Sequence, residues 1–481
     1  MIKSNKWRYS LIAALVFVVL AGFSVTIFAY RAGYTPRYIA AAPAMLVGFS
    51  AKMSCSLHYV SDLPKAQVHR DIVSYSSLFG LPSVDYDDAE RRVTASFLWE
   101  DQQAQFRDGV GCTLVESGQV LPPVTYRPEP KLSQPLDAQT AHAFAKPSAA
   151  LAHKLQALIN ADQREQHDTR ALLVMRANGD VLAQAYAEGY NAQTLFLGWS
   201  LSKTLTASWI GNLQYRKLIP PLADHSPDSG KSQHAAALFR EWRDDARQQI
   251  SLRHLFTMTS GLGFSEIYEP GSDATKMLFE DASSSMRPLN SALVNPSGGH
   301  WRYSSGTANL LSLYGHRALG GQPNEVLGDI HSALLQPLAM GRAVLELDRE
   351  GVFVGSSFMF ATAKAWANLG ALYLNLGVFN GERLLDSAWV EQALAPNSSS
   401  NDSRYGFQLW LNQGAGEQPL RWPSLPPSSF AAQGNRGQTV MVLPKQGLVI
   451  VRLGWGKPKY PVDKVMAHIV ALVADLDAGN L

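Results

Sequence analysis

Charge is scarce in this sequence: Asp, Glu, Lys and Arg make up 17% of the 481 residues, against 46% hydrophobic. The 42 basic and 40 acidic residues leave a formal net charge of +2, and no long Lys/Arg run occurs. That excludes the electrostatic footprint of a nucleic-acid binder. The twelve histidines fall in no Cys/His cluster and no H-E-x-x-H run, so no metal site is suggested. The glycine-containing run Gly351–Phe360 has no lysine to hold a phosphate and reads as packing near a cleft. No internal repeat or low-complexity tract stands out. Only two cysteines are present, Cys55 and Cys112. What remains is a globular composition, long enough for two or three domains.

The N-terminus is built differently. Lys3, Lys6 and Arg8 precede Leu11–Tyr30, a stretch without a charge that Arg31 closes. Twenty residues at about 1.5 Å rise span roughly 30 Å, the thickness of a bilayer core. A cleaved secretory signal has the same basic start, but Ala29-Tyr30-Arg31 is a poor cleavage site. Residues 1–34 therefore read as a membrane anchor or signal, with the basic flank in the cytoplasm and the rest exported. The expected location is the inner membrane, single-pass, with the remaining chain in the periplasm. An even pair of cysteines outside the cytoplasm invites a disulfide, Cys55 with Cys112. Two unpaired buried thiols are the other reading.

Three blocks follow. Residues 50–118 read as a small subdomain fastened by the cysteine pair, with strands Val93–Leu98 and Ala104–Arg107 around a Glu100-Asp101 turn. Residues 119–147 are Pro-rich and read as a linker or strap. The main domain begins with an amphipathic helix, about Ala149–Asp162, then a hairpin of Ala171–Arg176 and Val181–Tyr186 around Asn178-Gly179-Asp180. It ends with strands Thr439–Leu443 and Leu448–Leu453 and a helix, about Val462–Asp475. Strands at both ends predict an α+β (α/β sandwich) fold, with an antiparallel sheet flanked by helices. Residues 148–215 and 400–481 form that α/β lobe, and 216–399 an inserted, mainly helical lobe. A groove between two lobes is a usual place for a site.

Chemistry centres on Ser200-Leu201-Ser202-Lys203. The run continues with small or apolar residues nearly all round, as in a buried helix. At i and i+3 the hydroxyl and the amine share one face. A lysine buried there loses solvation, and its neutral amine can take the serine proton. The helix N-terminus offers backbone N–H groups to a developing oxyanion. Alone the tetrapeptide is about as frequent as chance allows in a chain of this length.

Two further runs strengthen it: His300-Trp301-Arg302-Tyr303-Ser304-Ser305-Gly306, and Gln433-Gly434-Asn435-Arg436-Gly437-Gln438 directly before a strand. With Ser200-x-x-Lys203 they resemble, in order and spacing, the three motifs of the penicillin-binding-protein and class C β-lactamase-like serine hydrolases. Ile250–Leu262 also looks like that family. The likeness is greatest to the esterase and amidase branch, which includes the 6-aminohexanoate-dimer hydrolases, and it covers roughly residues 150–475. The resemblance implies that Ser200 is acylated, that Lys203 is its general base, and that Tyr303 relays protons. It also implies an oxyanion hole from the backbone N–H groups of Ser200 and Gln438. A phenol beside a lysine ammonium is expected to have a lowered pKa. Ser305 could hydrogen-bond Lys203 or the substrate.

The third motif departs from the lactamase pattern, since Asn435 stands where a cation is usual and Arg436 where Thr is frequent. Neighbouring strand residues point to opposite faces, so Arg436 is a poor substitute for that cation. Gly437 fits, a side chain there obstructing substrate along the strand. The expected activity is cleavage of a small amide or ester, with a D-alanyl-D-alanine carboxypeptidase as the alternative and a β-lactamase behind it. Tyr268 and Trp301 are further candidates for substrate contact, and His254 reads as a core or capping histidine. No cofactor, metal or nucleic acid is called for. The expected partners are a small-molecule substrate and, through the N-terminal helix, a membrane.

Overall fold

The computed structural model describes residues 35–121, 123–125, 147–222, 237–456 and 459–481, with residues 11–13 and 16 upstream. The expected anchor over Leu11–Tyr30 and most of the Pro-rich strap lie outside the described residues. The fold is an α/β sandwich with antiparallel sheets flanked by helices and a helical insertion between the two ends of the main sheet.

That sheet is assembled from both ends of the catalytic region. Strands β5 (Thr169–Arg176) and β6 (Val181–Tyr186) follow helix α2 (Ala149–Arg164). From the other end come β7 (Trp410–Leu411), β8 (Phe430–Gly434), β9 (Gln438–Leu443) and β10 (Leu448–Gly454), before helix α6 (Val462–Asp477). The spatial order is β7-β8-β9-β10-β5-β6, with every pair antiparallel.

The central strands are apolar at consecutive positions because both faces are covered. Leu172, Val174, Met441 and Ile450 pack against α2 and α6. Their neighbours Leu173, Met175, Val440, Val442, Val449 and Val451 face the opposite core, with Leu205, Trp366 and Leu369. The period-two alternation sorts each run between two layers. The second layer contains helices α3 (Leu201–Tyr215), α4 (Ser305–Ala318) and α5 (Ala363–Leu374), of which the N-terminal ends of α3 and α4 contribute to the site.

Before this domain, helix α1 (Pro36–Cys55) lies across a meander of β1 (Ser83–Asp87), β2 (Arg92–Phe97), β3 (Glu100–Arg107) and β4 (Gly111–Val115). The turn between β2 and β3 is Leu98-Trp99, with Leu98 in the left-handed region (φ 57°). It does not fall at Glu100-Asp101, which pair with Phe97 and Ser96 as the first residues of β3. The helix likewise begins well before residue 50.

Pro36–Val60 is long and apolar enough to cross a membrane, yet most of it is buried within the protein. One face (Val47, Ala51, Cys55) packs on Val93, Ala95 and Ala104 of its own sheet. The other (Met45, Leu46, Phe49, Met53, Leu57) packs on Trp199, Phe279, Phe358 and Trp455 of the catalytic region. A helix covered on two sides is apolar nearly all round for that reason alone.

Two buried ion pairs bolt the N-terminal unit down. Lys52 Nζ donates to Glu346 Oε2 at 2.6 Å and to the carbonyl of Cys112. Glu346 also accepts from Ser56 Oγ at 2.8 Å and from the Cys112 amide at 2.7 Å. Arg170 grips Asp71 through two nitrogens, at 2.8 and 2.6 Å. Cys55 and Cys112 form a disulfide. Replacing both with serine is expected to lower unfolding stability by 2–4 kcal/mol, read from the denaturant midpoint.

Candidate active site

Ser200 caps the N-terminus of α3 with no side-chain capping bond, so its hydroxyl is left to other partners. The residue before it, Trp199, is held at φ 49°, a left-handed conformation costly for a bulky side chain. Lys203, one turn into α3 and 1% exposed, reaches back and donates to Ser200 Oγ at 2.9 Å. The other two contacts of its amine are Ser305 Oγ at 3.1 Å and the Ser356 carbonyl at 2.8 Å. Three acceptors match the three protons of an ammonium. Burial nevertheless lowers the Lys203 pKa to about 8, against the pull of Glu266.

Ser305, the first residue of α4, links this amine to a carboxylate. Its Oγ donates to Glu266 Oε1 at 2.5 Å and its amide to Oε2 at 2.6 Å. Burial raises the Glu266 pKa, opposed by Lys203 and by the two bonds from Ser305. Ser356 lies in the Gly351–Phe360 run, read from sequence as packing, and its amide is held by Asn309 Oδ1 at 2.9 Å.

The Tyr303 ring sits 5.0 Å from Lys203 Nζ, centroid to nitrogen, and its hydroxyl hydrogen-bonds with Ser200. Its pKa is raised, not lowered as the sequence suggested. Burial is the main cause and the Glu266 carboxylate adds to it, while the Ser200 bond and Arg421 act in the other direction. The lysine lies over the ring face, where its charge interacts with the π system and does not offset the cost of a buried phenolate. Around Tyr303 stands an aromatic cluster. Trp410 stacks on it at 5.5 Å and 11°, Trp301 and Tyr405 pack against Trp410, and Arg421 lies 3.7 Å over the Trp410 ring.

The third motif is a turn and not a strand. Asn435–Gly437 form one 3-10 turn between β8 and β9, with Arg436 at φ 61°. The opposite-faces expectation therefore does not apply. The Arg436 side chain runs back to stack 3.5 Å over Tyr75 of the N-terminal unit, and Asn435 Nδ2 donates to the Tyr75 hydroxyl at 3.3 Å. Gly437 is demanded by its φ of 80° and by Arg452, whose Nη1 would lie 2.7 Å from a Cβ there. The glycine beside Ser200 is Gly434. A Cβ on it would stand 3.2 Å from the Ser200 nitrogen and 3.1 Å from Gln438 Cβ. Ser200 and Gln438 thus flank one point beside a backbone bare of side chain. Gln438 directs its side chain away, bonding both ways with Gly454.

Tyr268 has an exposed ring edge, while its hydroxyl points inward to Ser305 with Glu266 and Tyr303 nearby, and burial drives its pKa well up. His254 sits away from this cluster in the capping box of the helix Leu252–Phe256, its Nδ1 accepting from the Ser251 amide at 3.2 Å. Glu266, Ser356, Gly434, Tyr75 and the Tyr405–Trp410–Arg421 cluster were not found by sequence reasoning. Glu266 was within reach, lying two residues before Tyr268 in the one acidic position of the Gly261–Tyr268 segment.

The profile of the Beta-lactamase family matches residues 155–475, two thirds of the chain and all of the site residues just described except Tyr75. The chain belongs to the Beta-lactamase family. Among curated relatives, the 6-aminohexanoate-dimer hydrolase of Paenarthrobacter ureafaciens is 24% identical over 314 residues, 64% of this chain and 78% of that protein. Among solved structures, EstCE1, a hydrolase with promiscuous acyltransferase activity, aligns with a TM-score of 0.51 at 17% identity, over 67% of this chain and 98% of its own. A family VIII carboxylesterase aligns with a TM-score of 0.50 at 11% identity, over 68% and 98%. This member of the Beta-lactamase family thus shares its fold with those two proteins and carries about 150 residues before the region matched by the family.

Proposed function

We propose that this chain is an exported serine hydrolase that cleaves a small amide or ester through an acyl-enzyme on Ser200. The observation that carries the reading is the buried Lys203 amine, 2.9 Å from Ser200 Oγ with a pKa near 8. Such an amine is neutral in a useful fraction at neutral pH and sits where a base must sit. Ser200 Oγ attacks the carbonyl as its proton passes to Lys203 Nζ. The oxyanion is met by the backbone N–H groups of Ser200 and Gln438. Tyr303, protonated at neutral pH because of its raised pKa, gives a proton to the leaving group and recovers one from Lys203. Water then releases the acyl group by the reverse sequence. Ser305 and Glu266 hold the amine in line.

Asn435 in place of a cation argues for neutral esters and amides over penicillins, and the amide-cleaving curated relative agrees with that choice. Export with an N-terminal anchor in the inner membrane fits the apolar Leu11–Tyr30 stretch and the disulfide. The test is covalent labelling with a fluorophosphonate and, separately, with a fluorescent penicillin, followed by peptide mapping. The fluorophosphonate is expected on Ser200 with fast turnover of short acyl esters and no penicillin adduct. A slow-releasing penicillin adduct selects the peptidase instead, and no label on Ser200 from either probe overturns the hydrolase reading.

The base role carries a pH signature. As Lys203 protonates, kcat/KM is expected to fall about tenfold per pH unit below pH 8 and to level off above it. Removing the Glu266 charge with Glu266→Gln takes away the interaction that favours the ammonium, so the acid limb shifts to lower pH. A pH–rate profile of both proteins checks the direction.

A further inference from the structure

A cavity of about 690 Å³ lies between the N-terminal unit and the nucleophile, within the range of small-molecule sites. One wall is α1, through Ala42, Met45, Leu46 and Phe49. Leu78 and Phe79 close a second side, and Phe279 a third. Polar groups gather at one end: Tyr75, Tyr268, Asn435 and Arg436, beside Trp199, the residue before the nucleophile. Leu78, on the lining, is 41% exposed, so the cavity is apolar where it meets solvent there.

We propose that this cavity is an acyl-chain pocket and that the substrate is an ester or amide of a long, linear acyl group. The inference rests on Ser200 hydrolase chemistry and adds the substrate class to it. The shape favours a chain over a ring system. Lining residues run along α1 from Tyr38 to Phe49, about 16 Å at helical rise. One leaflet of a bilayer's hydrocarbon core, and so one membrane acyl chain, is about 15 Å deep. Trp199, directly before Ser200 in the chain, stands on the cavity wall, so a chain held there lies one residue from the attacking oxygen and is assigned to the acyl group that Ser200 retains. In the reaction the bond from Ser200 Oγ to the acyl carbon forms and the ester C–O or amide C–N bond breaks. The alcohol or amine leaves with the proton from Tyr303, and the chain stays in the pocket until water frees it. The α1 wall precedes residue 155, before the region matched by the family.

The test holds the leaving group constant and varies the acyl group, using p-nitrophenyl esters from acetyl to decanoyl on the full chain. The kcat/KM of the wild type is expected to rise roughly threefold per methylene until the cavity fills. Ala42→Trp and Leu46→Trp are each expected to cut the decanoyl-to-acetyl ratio of kcat/KM by tenfold or more. A flat or falling profile with acetyl ester still turned over overturns the pocket and leaves the hydrolase intact, as happens when an apolar part of the chain itself fills the cavity. If no ester reacts and no fluorophosphonate bonds, both readings fall. Should the tryptophan variants not fold, the wild-type profile decides alone.

Discussion

Ser200→Ala is expected to lower kcat/KM for a short ester by about 10⁴-fold and to leave the fold unmoved. The loss is large because every later step needs the acyl-oxygen bond, which no neighbour can replace. Ser202 is turned away, donating to the Trp199 carbonyl at 2.7 Å, and Ser305 is spent on Glu266. The small structural cost follows from the way Ser200 caps α3 without a side-chain bond, so that alanine removes no cap. Lys203 keeps Ser305 and the Ser356 carbonyl. A thermal midpoint unchanged within the equivalent of about 1 kcal/mol, beside the collapse in rate, is the expected pair of measurements.

Lys203→Met is expected to cost about 10³-fold in kcat/KM while holding stability level at pH 7. Methionine nearly fills the space of the lysine stem, so no cavity opens. The amine, however, is a burden to the folded state. Its pKa of about 8, against a reference of 10.5, means that the ammonium is disfavoured on folding by about 3 kcal/mol below pH 8. Against that release stand the lost partner of the buried Ser356 carbonyl, about 1–3 kcal/mol, and of Glu266. The linkage gives a further sign. Between pH 8 and 10.5 the unfolded chain binds more protons than the native one, so wild-type stability rises with pH across that window. In the methionine variant this rise disappears. Chemical denaturation at pH 7, 9 and 10.5 measures it.

The legible part of the fold was local. The hairpin around Asn178-Gly179-Asp180 and the strands around Pro444–Gly447 announce themselves by turn residues between apolar runs, and β5, β6, β9 and β10 lie where those signals place them. Helix α1 escaped because its periodicity is hidden. With one face against a sheet and the other against Trp199 and Phe279, it has no polar stripe to betray it. At the site, spacing brought Ser200 and Lys203 together, but the direction of the Tyr303 pKa is set by burial, to which Glu266, 37 positions away in a loop, adds. The Arg436 contact with Tyr75 spans 361 positions. Neither pairing has a period or a turn signature, since the first is decided by tertiary packing within the main domain and the second by how the N-terminal unit closes on it.

The two buried ion pairs between those units have a consequence for modularity. EstCE1 and the family VIII carboxylesterase align over 98% of their own length with about two thirds of this chain, and the family itself matches residues 155–475. Here Arg170 and Glu346 belong to that same catalytic region, and each finds its counter-charge on the added unit, in Asp71 and Lys52. Trimming the chain to the shared family boundary would strand the buried Glu346 carboxylate, a defect costing about 3–5 kcal/mol, and would leave Arg170 with Asp168 alone, at 2.8 Å. The boundary shared with the family is therefore not one at which this protein can be cut without cost.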